Sequence, residues 1–414
     1  MSKYHPVLHT RREFLQQGVG LAAVSLTIPA WLHRSAYAVE NGRARRATDR
    51  SVVIVQLSGG NDGLNTVVPF PNDDYHKARP VIGLKPDEVL KVNDELGLHP
   101  KLAPFKALYD EGHAAILLGV GYPNPNRSHF RSLEIWHTGS DSNKFERYGW
   151  IGRYFDNECK GSPSPAVGVA LQREAPQAFT NLSGHGICFT DPNAFRWNPT
   201  GAGKKPQIEA ESEAYRMLNT PGRKVDFLTR TALNAQITSD RVRNIASSYK
   251  ARVEYPKTQF ATDLRLIAGM IGGNLGSKFY YCGMGGFDTH SGQLTRHATL
   301  LDQFSSGISA FYKDLETQGL ADQVLVLAFS EFGRRVRENA SDGTDHGVAG
   351  PMFVVGGGVK PGLYGKYPSL TDLDSGDLKA DTDFRQVYAT VLENWLKAKP
   401  EPIFGRTFEK LAFV

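Results

Sequence analysis

Five short runs of apolar, largely β-branched or aromatic residues recur along the chain, and helical patterns separate them. They are residues 51–57 (SVVIVQL), 114–120 (AAILLGV), 278–282 (KFYYC), 323–329 (QVLVLAF) and 352–355 (MFVV). Such runs have no solvent-facing alternate positions, which marks strands covered on both faces, the usual condition of a parallel sheet. Residues 294–315 instead repeat apolar side chains at Leu294, Leu300, Leu301, Phe304, Ile308, Phe311 and Leu315, a helical face. Residues 225–251, 259–271 and 384–396 also read as helices. Strands alternating with helices predict an α/β fold, a three-layer sandwich with a mostly parallel central sheet. Residues 157–223 are richer in Gly, Pro and polar residues, lack strand rhythm, and are expected to form an insertion or cap over the sheet. No internal repeat or low-complexity tract is present.

A chain of 414 residues, 40% hydrophobic and 22% charged, is long enough to build a core without staples. Its 3 cysteines form no CxxC pair and no disulfide framework. Cys159 and Cys188 have the option of pairing in an oxidising compartment, whereas Cys282 lies in an apolar run and reads as a buried thiol. No run approaches the roughly 18 apolar residues of a membrane span, so no stable span is expected in the mature chain. The net charge of +5 is concentrated at the front. Residues 1–38 hold Lys3, Arg11, Arg12 and Arg34 against Glu13 alone. No basic stripe interleaved with aromatics follows, so nucleic acid is not an expected partner.

That first segment reads as an address. Arg11-Arg12 is followed by Phe14-Leu15, then by a modest apolar run from Gly18 to Ala30, and Ala36-Tyr37-Ala38 supplies a small-residue cut site. A basic start, a short apolar stretch and small residues at the end make an export signal. The paired arginines point to the twin-arginine export machinery as a partner and to the periplasm or cell surface as the destination. Residues 1–38 are therefore expected to be the signal and 39–414 a single α/β domain.

In open α/β sheets, sites form beyond the carboxyl ends of the strands. After the first run comes SGGNDGLN, whose glycines permit a tight turn and whose Asp62 is either an Asx-type turn former or a ligand. After the second comes GYPNPNRSHFR, where Ser128 is either a helix cap or a reactive hydroxyl, and where Arg127 and Arg131 flank a natural anion site at a helix start. After the third, GGFDTH sets Asp288 and His290 two residues apart, able to converge on one cation. The fourth ends in SEFGRR. Glu331 there is costly to bury unless it is coordinated or paired, with Arg334 or Arg335 as the alternative to a metal. Asp345 and His346 precede the fifth. A mixed carboxylate–imidazole set at strand ends suits a hydrolytic metal site, in which the ion polarises an ester oxygen and lowers the pKa of a hydroxyl or water. No dinucleotide fingerprint or haem motif points to redox chemistry.

Taken together, the twin-arginine leader, SGGNDGLN, NRSHFRSLEIWHTG, GGFDTH, AFSEFGR and GTDHGVAGP resemble a bacterial exported family known as domain of unknown function 1501. That family in turn resembles the alkaline-phosphatase-like superfamily of phosphatases, sulfatases and cofactor-independent phosphoglycerate mutases. The resemblance implies that Asp62, Asp288, His290, Glu331 and His346 hold one or two divalent ions, zinc, manganese or calcium. It places Ser128 near the nucleophile position, with His129 as the alternative, and assigns Arg127, Arg131 or Arg334 to the departing charge. The implied activity is hydrolysis of a small anionic phosphate or sulfate ester. Two departures stand out: Phe332 occupies the place of a superfamily histidine, and Asp288 and His290 are two rather than four apart. They leave open a second expectation, a non-catalytic binding or assembly protein on the same fold.

Overall fold

The computed structural model describes residues 49–159, 165–195 and 227–414, with the backbone alone at 165 and 227–237. Residues 1–48, which include the signal expected over 1–38, and residues 160–164 and 196–226 lie outside the described residues. The chain divides into two compact units: the described residues of 46–190 and 245–414 form one, and those of 191–244 belong to the other.

The larger unit is built on a nine-stranded sheet. Its strands are β1 (Ser51–Leu57), β2 (Ala114–Gly121), β3 (Gly168–Ala170), β4 (Ile187–Cys188), β5 (Phe279–Met284), β6 (Val324–Phe329), β7 (Gly350–Val355), β8 (Gly362–Tyr364) and β9 (Thr382–Asp383). Described helices include α1 (Asp73–Ala78), α2 (Ala103–Asp110), α3 (His129–Thr138), α4 (Trp150–Glu158), α5 (Phe227–Ser248), α6 (Gln259–Gly272), α7 (Gln293–Thr317) and α8 (Phe384–Thr390). The sheet runs β8-β2-β7-β6-β1-β5-β3-β4, with β9 beside β2. Every pairing is parallel except those of β7, which runs antiparallel to both β6 and β2.

The period of two explains the layers. Val52, Ile54, Leu325, Leu327, Phe279 and Tyr281 pack in one cluster with Trp136, Trp150, Phe384 and Tyr388 from α3, α4 and α8. Phe353 from β7 meets Phe105 of α2 and Phe304 of α7, and Phe304 in turn stacks near Phe260 of α6. A strand with both faces covered is apolar wherever its side chains find no hydrogen-bond partner. SVVIVQL is buried throughout, and its two polar residues are satisfied, Ser51 by the Ser277 carbonyl and Gln56 by the Tyr281 hydroxyl. Fully burying one Val, Leu, Ile or Phe side chain is worth about 1.5–3 kcal/mol. Leu301, Phe304, Ile308, Phe311 and Leu315 form the buried stripe of α7, as their spacing predicts. Leu294, expected on the same face, is exposed, and the start of α7 buries the polar Gln293 and His297 instead.

The structure corrects the sequence reading in several places. Residues 157–223 supply β3 and β4 to the sheet itself, extending it beyond β5. Strands of two or three residues are too short to carry a hydrophobic period. The run at 352–355 is antiparallel rather than parallel, since apolarity on both faces reports burial and not direction. The expected helix over 384–396 stops at Thr390 and continues as a π-helical turn, Val391–Trp395. Cys159 and Cys188 are both free thiols, and Cys282 is buried.

Candidate metal centre

Four loops meet at one rim of the sheet, where β1, β5 and β6 end. The reversed direction of β7 matters here, because a strand antiparallel to β6 starts at the rim where β6 finishes. Residues 345–346, just before β7, are thereby returned to the SEFGR loop. A bridge pairs Arg334 with His346, and the Gly347 N–H donates to the Gly333 carbonyl at 2.9 Å. The first turn of α3 supplies the remaining wall.

Asp288 stands at the centre of the cluster. Its Oδ1 lies 3.0 Å from His290 Nε2 and 3.1 Å from His346 Nε2, and its Oδ2 lies 3.6 Å from His129 Nε2. The two imidazole Nε2 atoms of His290 and His346 are 3.0 Å apart. The opposite nitrogen of each ring is tied down. His129 Nδ1–H donates to Glu331 Oε1 at 2.8 Å, His346 Nδ1–H to the Arg127 carbonyl at 2.8 Å, and His290 Nδ1–H to Asp345 Oδ1 at 3.2 Å. With Nδ1 donating, each neutral ring presents its Nε2 lone pair toward Asp288 and toward its neighbours. Lone pair then faces lone pair and carboxylate, an arrangement that repels unless a cation lies between.

One proton on either ring would relieve the His290–His346 contact alone, since an Nε2–H can donate to the facing lone pair, whereas a divalent ion would answer all three Nε2 atoms and the carboxylate together. The separations among Asp288 Oδ1, His290 Nε2 and His346 Nε2 are near the roughly 3.3 Å expected of ligands each 2.0–2.1 Å from one ion. His129, Asp288 and His346 by themselves place one ligand atom each within 4.8 Å of one another. His129 Nε2 is buried as an atom and has no hydrogen-bond partner. The donor set of imidazoles and carboxylate, each imidazole held from behind by an acceptor, fits zinc or manganese better than calcium, which prefers an all-oxygen shell.

The backbone supporting the cluster leaves no spare volume. Gly59 has φ +121°, and a Cβ there would sit 2.3 Å from the Asp288 amide nitrogen. Gly60 has φ +80°, and its Cβ would run into the Phe332 ring at 2.4 Å. Phe332 itself packs with its ring centroid 4.8 Å from both His129 and His346. It forms an apolar wall against these two imidazoles.

The electrostatics follow from these contacts. Partial burial opposes ionisation of Asp288, but the Arg334 guanidinium, donating to it at 2.6 Å, outweighs it and holds the carboxyl down at about 2. The Glu331 hydrogen bond raises the pKa of His129. Glu331 is 2% exposed and also accepts the Gly59 N–H at 2.9 Å. Asn339, followed by His290, keeps the Asp345 carboxyl below its ordinary range.

The sequence-predicted residues divide accordingly. Asp288, His290, His346 and His129 come together. Glu331 lies behind His129 as the acceptor that orients it. Asp62 does not join them. It is fully buried, receives Arg79 at 2.5 Å and the Gln293 amide, and its Oδ1 accepts the Leu64 N–H at 3.2 Å, the Asx-type turn contact. Its pKa is lowered because Arg79 overcomes the cost of burial. Ser128 is the N-cap residue of α3, exposed, and its side chain makes no capping hydrogen bond.

None of the three arginines offers a free guanidinium to the cluster. Arg127 reaches the cluster through its carbonyl, while its guanidinium pairs with Asp377. Arg131 binds Glu134 and the Ser142 and Lys144 carbonyls and stacks over Phe145. Arg334 is buried and donates to the Gly59, Gly60, Phe287 and Thr344 carbonyls as well as to Asp288. It braces the loops. The Arg127 carbonyl and Asp377 gave no sequence signal, since neither a backbone acceptor nor a partner 250 residues away in the chain carries a motif.

The family model described as "Protein of unknown function (DUF1501)" matches residues 49–397. The chain belongs to this family. No curated protein sequence matches it. Among solved structures, it is similar to Ps i-CgsB in complex with k-i-k-neocarrahexaose, at 12% identity over 84% of this chain and 72% of that one, with a TM-score of 0.39. It is also similar to the lipoteichoic acid synthase LtaP from Listeria monocytogenes, at 10% identity over 84% and 80%, with a TM-score of 0.38. A third is a protein in the alkaline phosphatase superfamily from Vibrio parahaemolyticus, at 11% identity over 76% and 62%, with a TM-score of 0.35. Likeness at this level leaves the functional reading of this DUF1501 member to its own residues.

Proposed function

We propose that this DUF1501 protein is an exported, metal-dependent hydrolase of phosphate or sulfate esters. The observation that carries the reading is the convergence of three Nε2 atoms on Asp288, each ring anchored at Nδ1. His129, Asp288, His290 and His346 would hold a divalent ion, zinc or manganese by donor type. When bound, such an ion polarises an ester oxygen and lowers the pKa of a nearby hydroxyl or water.

The chain's own residues supply the rest. Glu331 and the Arg127 carbonyl fix two rings in the tautomer that leaves Nε2 basic. His290 is half-exposed, and Asp345 accepts its Nδ1–H, so its Nε2 is the proton acceptor best placed at the mouth when it is not coordinating. The Ser128 hydroxyl, exposed one residue before His129, is the nucleophile in this reading, with water as the alternative. Attack by the Ser128 oxygen forms a bond to phosphorus or sulfur, breaks the ester bond and passes the serine proton to the departing alkoxide. Water then attacks the same centre, breaks the bond to the serine oxygen, and releases phosphate or sulfate as a proton returns to Ser128.

The saturation of Arg334 favours a second reading, a metal-binding protein without turnover. Arg127, Arg131 and Arg334 are all engaged elsewhere, so none of the three is left to neutralise developing charge. Elemental analysis of mature protein purified without chelator, beside His346→Ala, tests both. The hydrolase reading expects near-stoichiometric zinc or manganese lost in the variant, together with metal-dependent release of phosphate or sulfate from a panel of aryl and sugar esters. Metal without turnover of any ester supports the second reading, and folded protein with no metal sinks both.

A further inference from the structure

Asp377 is a carboxylate with its side chain 1% exposed, and it lies outside every motif that names the site. It sits in a two-residue strand, Asp377–Leu378, paired antiparallel with Leu373–Asp374 across a turn at Ser375 and Gly376. Burial raises its pKa, and the partners that keep it charged are two arginines. Arg127 Nη2 contacts Oδ2 directly, and Arg335 Nε lies 3.6 Å from Oδ1. A buried carboxylate is expensive, so a fold that keeps one this far from solvent holds something in place with it.

What the two arginines do next is specific. The Arg127 carbonyl accepts His346 Nδ1–H at 2.8 Å. The Arg335 N–H donates to the Asp345 carbonyl at 3.0 Å, and the Asp345 carboxylate accepts His290 Nδ1–H. One carboxylate therefore ties down both the loop that orients His346 and the loop that orients His290. The His129–Glu331 contact also joins these two segments, but it does not reach the Arg127 carbonyl or the Asp345 carbonyl. Arg127 is half-exposed, so without Asp377 its backbone would be free to turn and its carbonyl to leave His346.

We infer that Asp377 is a positioning residue for the candidate metal centre, acting through Arg127 on the tautomer and orientation of His346 and through Arg335 on His290. The inference rests on the metal reading above. Loss of an outer partner of a metal-ligating histidine typically costs 10–100-fold in metal affinity.

The test is a double-mutant cycle on the mature protein, with zinc affinity read by chelator competition and the His346 imidazole tautomer read by 15N NMR of metal-free protein. Asp377→Asn is expected to weaken zinc 10–100-fold and to move His346 from a fixed Nδ1–H tautomer to a mixture. The His346→Ala, Asp377→Asn pair should lose less zinc affinity than the sum of the two single losses, because the part of the Asp377 effect that runs through His346 is already gone in His346→Ala. Arg127→Met, which removes the same ion pair from its exposed end, should reproduce the tautomer change and replaces Asp377→Asn if that variant does not fold. Unchanged zinc affinity and an unchanged tautomer in a folded variant would overturn the inference while leaving the metal reading intact. Absence of zinc binding in the wild-type protein, with the tautomer still shifted by Asp377→Asn, would overturn the metal role and leave only the link to His346.

Discussion

Asp62 and Asp288 follow neighbouring strands and look alike in sequence, yet their surroundings separate them. Asp62 has no exposed surface and meets a guanidinium that is equally buried, so the pair is locked within the protein. Asp288 is nearly half-exposed and faces three imidazoles. Removing one partner of a buried ion pair leaves the other unpaired and typically costs about 3–5 kcal/mol. Asp62→Asn is therefore expected to lower stability by about that amount, read by denaturant unfolding, and to leave metal content unchanged. Asp288→Asn should lose metal and also lower the stability of metal-free protein, because it takes the carboxylate from the fully buried Arg334, so metal content is the readout that separates the two variants. If Asp62→Asn emptied the site while keeping its fold, the assignment of Asp62 to the turn would be wrong.

Among the elements, α6 carries a buried acid that serves no ligand. Asp263 is 8% exposed on the face of α6 that also buries Leu264 and Ile267, and Gln259 donates to it at 2.8 Å. Burial raises its pKa to about 6, against which the Gln259 hydrogen bond is the smaller effect. A carboxyl whose folded pKa exceeds its unfolded value adds stability below about pH 4, and that contribution is lost as pH rises through about 6. Asp263→Asn should accordingly be more stable than wild type near pH 7, by roughly 2–3 kcal/mol, with the difference shrinking toward pH 4. Urea unfolding at pH 4, 5, 6 and 7 measures it, and a difference that does not vary with pH would contradict the sign. The apolar spacing of 259–271 made the helix legible, but not which polar residue it would bury. Asp263 falls three positions before Leu266, and only packing decides that it turns inward.

For the whole molecule, the centre joins loops that leave three strands and a helix, so an ion there stabilises the native state without binding the unfolded chain. At a free metal concentration 100 times the dissociation constant, that stabilisation is about 2.7 kcal/mol. Thermal unfolding of chelator-treated protein should shift upward by several degrees on adding zinc or manganese, and the shift should vanish in His346→Ala. An equal shift in that variant would place the ion elsewhere. Much of this assembly was visible in the chain. The runs at 51–57, 114–120, 278–282 and 323–329 are strands within a residue or two at each end, and the loops after them carry the clustered polar residues.

Sequence by itself determined the long strands, the main helices and the loops that carry the candidate residues, because burial on both faces favours continuous apolarity and because polar residues gather in the Gly-rich turns that follow such runs. It could not determine which carboxylates face one another. Asp62 turns to Arg79 and Glu331 to His129 through contacts between residues 17 and 202 positions apart, and a pattern along the chain does not encode such distances. The reversed β7, the backbone carbonyl behind His346 and the buried Asp377 are products of sheet closure. Only tertiary structure brings those backbones within hydrogen-bond reach, and with them the orientation of every imidazole in the site.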